Sequence, residues 1–389
     1  MCDNRLALNT YIGLALERAF TSITAEDEDK IILALKQCDC LRRICLEMPI
    51  PNLQKLIMVI DEEYPILEYL ILDPCIEDES KALMLPETLQ APHLRHLLLL
   101  SAVLPIGSQL LTTAVGLVTL ALAMDYPPDY FQPNILLQWL SFMPQLETLV
   151  VGFSSPIPNR DVERQLMHTP TMPHVTLPNL HWFEFQGVSA YLEAVAGQIT
   201  TPRLRKLNIG FFEQLTFSVP YLVQFMNAAE NLRFDSAKFN FSRDVAYAEM
   251  YPLQDAEMNS FIILVRCQQF DWVSSMAQIF SSLGRIFSTV EHLTLEYNIC
   301  HPSPEARNGV DRTEWRKLLR SFGNVKTLRI DDIVKELSSC LRPEDDGSLD
   351  LLPKLQELTY SGWGDTRDAF ASFIDARQNA GRPVTLNIL

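Results

Sequence analysis

The chain has 389 residues, of which 48% are apolar and 21% are charged, and these are the proportions of a folded protein rather than a disordered one. Its 48 acidic and 32 basic side chains give a formal net charge of −16 at pH 7. Nucleic acids and anionic membranes bind through basic surfaces, so neither is expected as a main partner. The size alone predicts either two or three compact domains or one elongated repeat array.

The first 40 residues are predicted to be mostly helical. A helix is expected to begin near Thr24, because the acidic run from Glu26 to Asp29 favours the positive end of a helix dipole. No apolar segment typical of a secretory signal follows Met1, so a cytoplasmic or nuclear location is expected.

The eight cysteines are irregularly spaced, and a chain of this length buries a core without disulfides. Free, buried thiols are therefore predicted, with Cys45 and Cys267 inside apolar, strand-like runs. Cys38 and Cys40 have no second Cys or His pair at ligand spacing, so no metal site is expected there.

From Leu41 onward, a six-residue pattern recurs in which the first, fourth and sixth residues are apolar. The clear copies are Leu41–Leu46, Leu67–Leu72, Leu94–Leu99, Leu117–Leu122, Leu146–Val151, Leu180–Phe185, Leu204–Ile209, Val290–Leu295, Val325–Ile330 and Leu355–Tyr360. Two weaker copies, Phe234–Phe239 and Phe261–Arg266, fill the gap. Successive copies start 23 to 35 residues apart, which is a period typical of leucine-rich repeats.

The segments between the copies are predicted to be helices, with Pro133 and Pro220 in first turns, where a missing N–H is tolerated. Strands that alternate with helices predict a parallel sheet with right-handed crossovers. The predicted fold class is an α/β leucine-rich repeat solenoid of about 12 irregular repeats over residues 41–389, with a curved parallel sheet, helices on its convex side and residues 1–40 as a helical N-terminal cap. A doubly wound α/β domain is the alternative, but its usual glycine-rich first turn is absent.

The stretch from Leu97 to Met124 contains no charged residue and is long enough to span a bilayer. Pro105 and Gly107 interrupt it, and a copy of the pattern lies at each end. Two buried strands with a loop and a short helix between them are therefore predicted, and no membrane partner is expected.

Four stretches are predicted to be mobile loops between repeats, and the first of them is rich in proline and polar residues. They are Ser154–Val175, Asn240–Asn259, Cys300–Gly309 and Arg342–Ser348.

The stretch Trp139–Leu149 resembles a repeat of fungal (basidiomycete-type) F-box proteins, and Leu177–Leu180, Thr201–Leu207 and Asn231–Phe239 resemble further segments of that family. The resemblance implies an N-terminal F-box that binds a Skp-type adaptor of a ubiquitin ligase, and a repeat array that holds the substrate. No F-box-like motif precedes Leu41. We therefore expect either a truncated F-box protein or a natural relative without the F-box, and a Skp-type adaptor as partner only if an F-box lies upstream.

The residues between the apolar positions of each copy are predicted to face the concave side of the sheet, because alternate residues of a strand point in opposite directions. The predicted partner-binding residues are Tyr69, Ile71, His96, Leu98, Val150, Trp182, Glu184, Lys206 and Arg329. The N-terminal part of this face is apolar, and Trp182 lies at its border, which suits a protein interface. Alternatively, a long loop or an interdomain helix covers these side chains and makes them core.

The P-loop, His-Glu-x-x-His and Gly-x-Ser-x-Gly motifs are absent, so no catalytic, cofactor-binding or metal-binding residue is predicted. The sequence favours a non-catalytic protein-binding module that resembles the substrate-recognition part of an F-box receptor. One alternative is a free-standing repeat scaffold or sensing array unrelated to ubiquitination. Another is an enzyme whose site is assembled across loops.

Overall fold

A computed structural model of the chain describes residues 25–75, 83–105, 107–124, 131–153, 173–212, 217–242, 244–254, 259–266, 272–284, 286–297, 312–331, 334–342, 351–361 and 368–389. Residues 1–24 of the predicted cap and nearly all of three predicted loops, Ser154–Val175, Cys300–Gly309 and Arg342–Ser348, lie outside these ranges. The chain divides into two compact units. Unit 1 comprises Met1–Phe131 with Gly152–Ser155, and unit 2 comprises Gln132–Val151 with Pro156–Leu389.

Unit 1 alternates short helices with parallel strands. Its described helices are α1 (Ala25–Leu35), α2 (Ile50–Ile57) and α3 (Gln109–Thr113). Its strands are β1 (Arg43–Pro49), β2 (Tyr69–Cys75), β3 (Leu83–Met84), β4 (His96–Leu100), β5 (Ala102–Val103) and β6 (Thr119–Met124). Strands β1, β2, β4 and β6 are neighbours in that order, all parallel, and β3 pairs with β5.

The elements that begin in unit 2 continue the same alternation. The described helices are α4 (Pro133–Leu140), α5 (Ser189–Ala196), α6 (Pro220–Ala228), α7 (Trp272–Leu283), α8 (Arg312–Arg320), α9 (Val334–Leu341) and α10 (Ala371–Asn379). The strands are β7 (Thr148–Phe153), β8 (Val175–Thr176), β9 (Trp182–Gly187), β10 (Ile199–Thr200), β11 (Lys206–Phe211), β12 (Ser236–Phe241), β13 (Val245–Tyr251), β14 (Ser260–Arg266), β15 (His292–Tyr297), β16 (Thr327–Asp331), β17 (Glu357–Ser361) and β18 (Thr385–Ile388). The main strands are ordered β7, β9, β11, β14, β13, β12, β15, β16, β17 and β18, while β8 pairs with β10.

Every copy of the six-residue pattern forms a strand, and in all but one the strand begins at the third residue of the copy. The apolar residue that opens a copy is buried in every copy but the first, where Leu41 is half-buried, and Leu67 and Leu94 illustrate the usual case. Helix α2 packs on β1 and β2, and α5 packs on β9. Repeated helices and parallel strands in sequential order define the predicted α/β leucine-rich repeat solenoid, so the fold class is confirmed.

The core consists of apolar side chains aligned from strand to strand. Two rows cross β2, β4 and β6 in register, namely Leu70, Leu97 and Leu120, and Leu72, Leu99 and Leu122. All six are fully buried, and each stabilises the fold by about 2 kcal/mol relative to exposure. In unit 2 the equivalent space is filled by rings, and the Phe239 ring centroid lies 4.9 Å from that of Phe280 and 5.6 Å from that of Phe322.

The two weak copies do not form successive parallel strands, which corrects the expected topology. Strands β12, β13 and β14 form an antiparallel meander whose spatial order is reversed, since β14 pairs with β11 and β12 pairs with β15. Strand β13, Val245–Tyr251, lies inside the stretch Asn240–Asn259, so the prediction of a mobile loop there is wrong. Its residues alternate between half-buried and buried positions, and this period of two was the signal in the sequence.

The uncharged stretch from Leu97 to Met124 folds as predicted, with β4 and β6 at its ends and β5 and α3 between them. Among the described residues, no helix is long and apolar enough to cross a membrane. Pro133 and Pro220 both lie in the first turn of a helix, as predicted.

The prediction of buried thiols holds only in part. Among the cysteines whose side chains the structure describes, Cys38, Cys40, Cys45 and Cys340 are not in disulfides, and of these Cys340 alone is buried. Cys45 is exposed because it occupies an outward-facing position of β1, so its predicted burial is wrong. Cys267 lies outside the described residues.

Helix α1 is the described helix of the predicted cap, and it is attached to the first repeat by polar contacts. Glu28 forms an ion pair of 3.1 Å with Lys55 of α2. The buried Tyr64 hydroxyl donates a hydrogen bond of 2.7 Å to the carbonyl oxygen of Leu35. These contacts hold α1 against the first repeat, and the role of residues 1–40 as a cap stays a prediction.

Helix α6 receives its N-terminal cap from the neighbouring helix α5. Oε2 of Glu193 accepts the backbone N–H of Tyr221 at 2.8 Å, and Oε1 accepts that of Leu222 at 2.9 Å. N–H groups in a first helical turn have no acceptor within their own helix. Val219, which precedes the helix, has no side-chain oxygen, so Glu193 takes the role that Ser or Asp usually has.

The variant Glu193→Ala is expected to lower the free energy of unfolding by about 2 kcal/mol, because two N–H groups lose their acceptor in a largely buried place. Urea denaturation at pH 7 measures this change. Glu193→Gln keeps one carbonyl oxygen and is expected to lose about half as much. A Glu193→Ala variant as stable as the wild-type protein would contradict the assigned cap.

Candidate partner-binding face

The face of the sheet opposite the helices is called the open face. In unit 1 it begins with a row of side chains aligned across β1, β2, β4 and β6, namely Arg43, Tyr69, His96 and Thr119. The guanidinium carbon of Arg43 lies 5.2 Å from the Tyr69 ring centroid. The rings of Tyr69 and His96 are stacked, with centroids 4.4 Å apart and an interplanar angle of 10°. Nδ1 of His96 lies 3.1 Å from Oγ1 of Thr119. Each side chain holds the next, so the row is ordered before any partner arrives.

An apolar strip, defined as Ile71, Leu98 and Leu100, follows this row along the strands. Ile71 and Leu98 are in register on β2 and β4, and all three side chains are only half-buried. Leu98 is in register with Ala121 of β6, and Leu100 is in register with Ala123. Both alanines are only 6% exposed, so the strip ends at β4. The strip therefore offers aliphatic surface beside an aromatic platform.

The predicted partner-binding residues are divided between the two units. Tyr69, Ile71, His96 and Leu98 lie together in unit 1, as described above. Val150 is only 5% exposed, so little of it can contact a partner. Trp182, Glu184 and Lys206 lie together on β9 and β11 of unit 2, and Arg329 lies on β16. Their role in binding stays a prediction.

Glu184 combines burial with a shifted pKa. Its carboxyl is 8% exposed, and Nδ2 of Asn208 donates to its Oε2 at 3.4 Å. Burial raises the pKa of Glu184 to about 7, while side-chain hydrogen bonds from Asn208 and Trp182 act in the opposite direction. The neighbouring Lys206 places its Nζ 5.4 Å from the Trp182 ring centroid. Near neutral pH, this carboxyl therefore exchanges between its protonated and ionised forms.

The charges at the C-terminal end of unit 2 are mostly paired with each other. Nε of Arg329 donates to Asp331 at 2.9 Å, and the Ser361 hydroxyl donates to the same carboxylate at 2.7 Å. Lys238 forms an ion pair of 2.9 Å with Glu296. Such pairs are typical of a solvated surface.

Sequence reasoning missed Ile262, Leu264 and Tyr247, which are half-buried on the open face of unit 2. Strand β14 begins one residue before its copy of the pattern and not at the third residue of the copy. The order of buried and outward-facing residues in β14 is therefore the reverse of the order that the pattern predicts. Ile263 and Val265 are buried, and Leu264 points to the open face instead of the core. A shift of one residue moves every side chain of a strand to the opposite face. Recognising β13, Val245–Tyr251, as a strand that pairs with β14 would have revealed the shift.

No group of three or more His, Cys, Asp or Glu side chains within the described ranges is arranged to hold a metal ion.

Comparison with known proteins does not assign this chain to a family. No family model matches the sequence, and no curated protein matches it either. Among solved structures, the chain is similar to the one titled "Crystal structure of TLR13-ssRNA13 complex", with 13% identity and a TM-score of 0.31. The match covers 83% of this chain but only 38% of that one. At this TM-score the likeness carries no argument about the ligand.

Proposed function

We propose that this chain is a non-catalytic protein-binding module that holds a partner protein on the open face of its leucine-rich repeats. The observation that carries the proposal is the apolar strip Ile71, Leu98 and Leu100 beside the stacked rings of Tyr69 and His96. Aliphatic and aromatic side chains that are already ordered lose little conformational freedom on binding. Clusters of this kind supply most of the binding energy at protein interfaces.

Charges flank the strip on both sides. Arg43 lies at one side, and Glu47 and Asp73, which are in register on β1 and β2, lie at the other. An apolar centre with polar groups around it is the usual anatomy of a protein interface. The partner therefore buries an apolar side chain on Leu98 and places polar groups of its own near Arg43 and Glu47.

The resemblance to fungal F-box proteins supports a finer proposal, in which the bound protein is a substrate of a cullin-type ubiquitin ligase. In that case a Skp-type adaptor joins through an F-box upstream of this repeat array. The alternative is a scaffold or sensing array that binds its partner without any link to ubiquitination. Both proposals use the same binding face. They differ in whether ubiquitin-ligase subunits are bound together with the partner.

The variant Leu98→Asp is expected to weaken partner capture by about tenfold, because it places a charge in the centre of the apolar strip. Quantitative affinity purification from the native cell compares the wild-type chain, Leu98→Asp and the control Val115→Asp. Val115 is exposed in unit 1 but lies away from the strip. Thermal melts confirm that both variants fold.

The captured proteins decide between the two finer proposals. Ubiquitin-ligase subunits that accompany a partner sensitive to Leu98→Asp support the substrate receptor. The same partner without such subunits supports the scaffold. If no captured protein distinguishes Leu98→Asp from Val115→Asp, the proposed binding face is wrong.

A further inference from the structure

Two cations on the open face of unit 2 have aromatic rings, and not carboxylates, as their neighbours. Nζ of Lys206 lies 5.4 Å from the Trp182 ring centroid, and the guanidinium carbon of Arg266 lies 5.7 Å from that of Phe212. Within the described part of the chain, neither cation forms an ion pair. Lys238, on the same face, contrasts with them because it is paired with Glu296.

Among the described residues, no carboxylate forms an ion pair with Arg266. Burial lowers the pKa of its guanidinium, which means that the charged group has lost part of its hydration. The contact with an aromatic ring restores only a fraction of the free energy that the guanidinium loses with its hydration. A carboxylate restores more, because it forms a charge-assisted, two-point hydrogen bond. An approaching carboxylate therefore gains more at Arg266 than at an ordinary surface arginine.

The described side chains on the surface between the two cations are uncharged. Gly210 has no side chain, and a Cβ there would lie 3.3 Å from Cγ of Gln186, so the Gln186 side chain packs against this position. Leu264 is in register with Gly210, and Ile262 is in register with Asn208. Ile262 and Leu264 are both half-buried, so part of each side chain is available to a ligand.

The spacing of these groups matches an extended peptide. Lys206 is in register with Ser260, and Arg266 lies six residues further along β14, which is about 20 Å at the usual rise of a strand. Ile262 and Leu264 are two residues apart, about 7 Å, which is also the repeat of alternate side chains in an extended peptide. A segment lying along β14 thus meets a cation at each end and aliphatic side chains between them.

We propose that this surface, termed the basic channel (Lys206, Asn208, Gly210, Ile262, Leu264 and Arg266), binds an extended acidic segment of a partner protein. The segment carries two carboxylates about six residues apart, with aliphatic side chains between them. The proposal rests on the proposed function only in its use of the open face for a protein ligand, and it concerns the other unit.

The acidic groups beside the channel explain why the carboxylates belong at its ends. Glu184 is in register with Asn208, and Glu249 is in register with Ile262, so both lie two residues along the strands from the Lys206 end. A carboxylate of the ligand at that level would face both of them. A nucleic acid carries charge along its whole length, so its phosphates would face them as well.

The probe is a fluorescent seven-residue peptide with glutamate at its first and last positions, leucine at its third and fifth, and serine elsewhere. Anisotropy titrations with the full chain at low salt measure its affinity. Lys206→Met and Arg266→Met are each expected to weaken binding by about fivefold, while the matched control Lys238→Met leaves it unchanged. Gly210→Leu, which places a large side chain in the path of the peptide between the two cations, is expected to abolish binding, and thermal melts check that each variant folds.

Three results would overturn the proposal. The first is binding equal to that of a peptide with glutamine in place of glutamate. The second is a loss in Lys238→Met as large as that in Lys206→Met, and the third is tighter binding of a single-stranded RNA of equal charge. Leu98→Asp, in unit 1, is expected to leave peptide affinity unchanged. Its effect on partner capture therefore tests the proposed function separately from the basic channel.

Discussion

Replacing Arg377 with methionine is expected to lower the free energy of unfolding by about 3 kcal/mol. The side chain of Arg377, on α10, is 1% exposed. Its guanidinium donates to the carbonyl oxygens of Leu355 at 2.8 Å, Leu352 at 3.3 Å and Pro353 at 3.4 Å. These carbonyls belong to the segment that leads into β17, and methionine leaves all three without this donor.

The segment held by Arg377 contains a strained residue. Leu352 has a φ of 49°, in the left-handed region that costs a residue other than glycine about 1 kcal/mol or more. The hydrogen bonds from Arg377 to Leu352 and to the residues after it offset that strain. Relief of the desolvated charge in Arg377→Met returns part of the loss, which is why we expect about 3 kcal/mol and not the sum of three lost bonds.

Urea denaturation followed by circular dichroism measures this effect, and Arg382→Met is the matched control. Arg382 is exposed in the loop after α10, so its loss is expected to change the free energy of unfolding by less than about 0.5 kcal/mol. Arg377→Lys keeps the charge but not the forked donors, so an intermediate loss is expected. If Arg377→Met falls within the range of Arg382→Met, the carbonyl contacts do not stabilise the fold.

The strands of the repeat array were predictable because their signal is local. A leucine two residues before the strand and apolar residues at alternate positions within it are enough to locate β2 and β4 in the sequence. Burial on one side and half-exposure on the other follow directly from that pattern. The fold class therefore required no information beyond the spacing of apolar residues.

The meander of β12, β13 and β14 was not predictable from the repeat period. The two weak copies start 27 residues apart, a normal repeat length, and this spacing concealed an additional strand between them. Only the alternation over Val245–Tyr251 distinguishes the meander from a loop. Pairing order in a sheet is a long-range property, and a local pattern does not contain it.

The candidate site was likewise predictable only where its features depend on local sequence. The outward direction of Tyr69 and His96 followed from the pattern, but their stacking depends on the register between β2 and β4, which no local signal encodes. The hydrogen bond that Glu184 accepts from Asn208 likewise depends on the register between β9 and β11. Sequence thus indicates which residues face outward, and the contacts between repeats decide what chemistry they have.

The free energy of unfolding is expected to fall as the pH rises from about 5 to about 8, with Glu184 contributing about 3 kcal/mol of that fall. The pKa of Glu184 is about 7 in the folded chain, against an ordinary value of 4.5. Between these values the folded chain holds a proton that the unfolded chain has released. Raising the pH therefore favours unfolding, by about 1.4 kcal/mol for each pKa unit of difference.

Glu184→Gln isolates this contribution, because glutamine resembles the protonated carboxyl and does not titrate. The stability difference between the variant and the wild-type chain is expected to be near zero at pH 5 and to approach about 3 kcal/mol in favour of the variant at pH 8. Taking the difference cancels other groups, including Glu193, whose pKa burial also raises. Asn208→Leu removes a hydrogen bond that favours the ionised form, so in that background the change is expected at higher pH. A difference that stays constant from pH 5 to pH 8 would mean that the Glu184 carboxyl is solvated in the folded chain, and the packing of Trp182 and Asn208 around it would then be wrong.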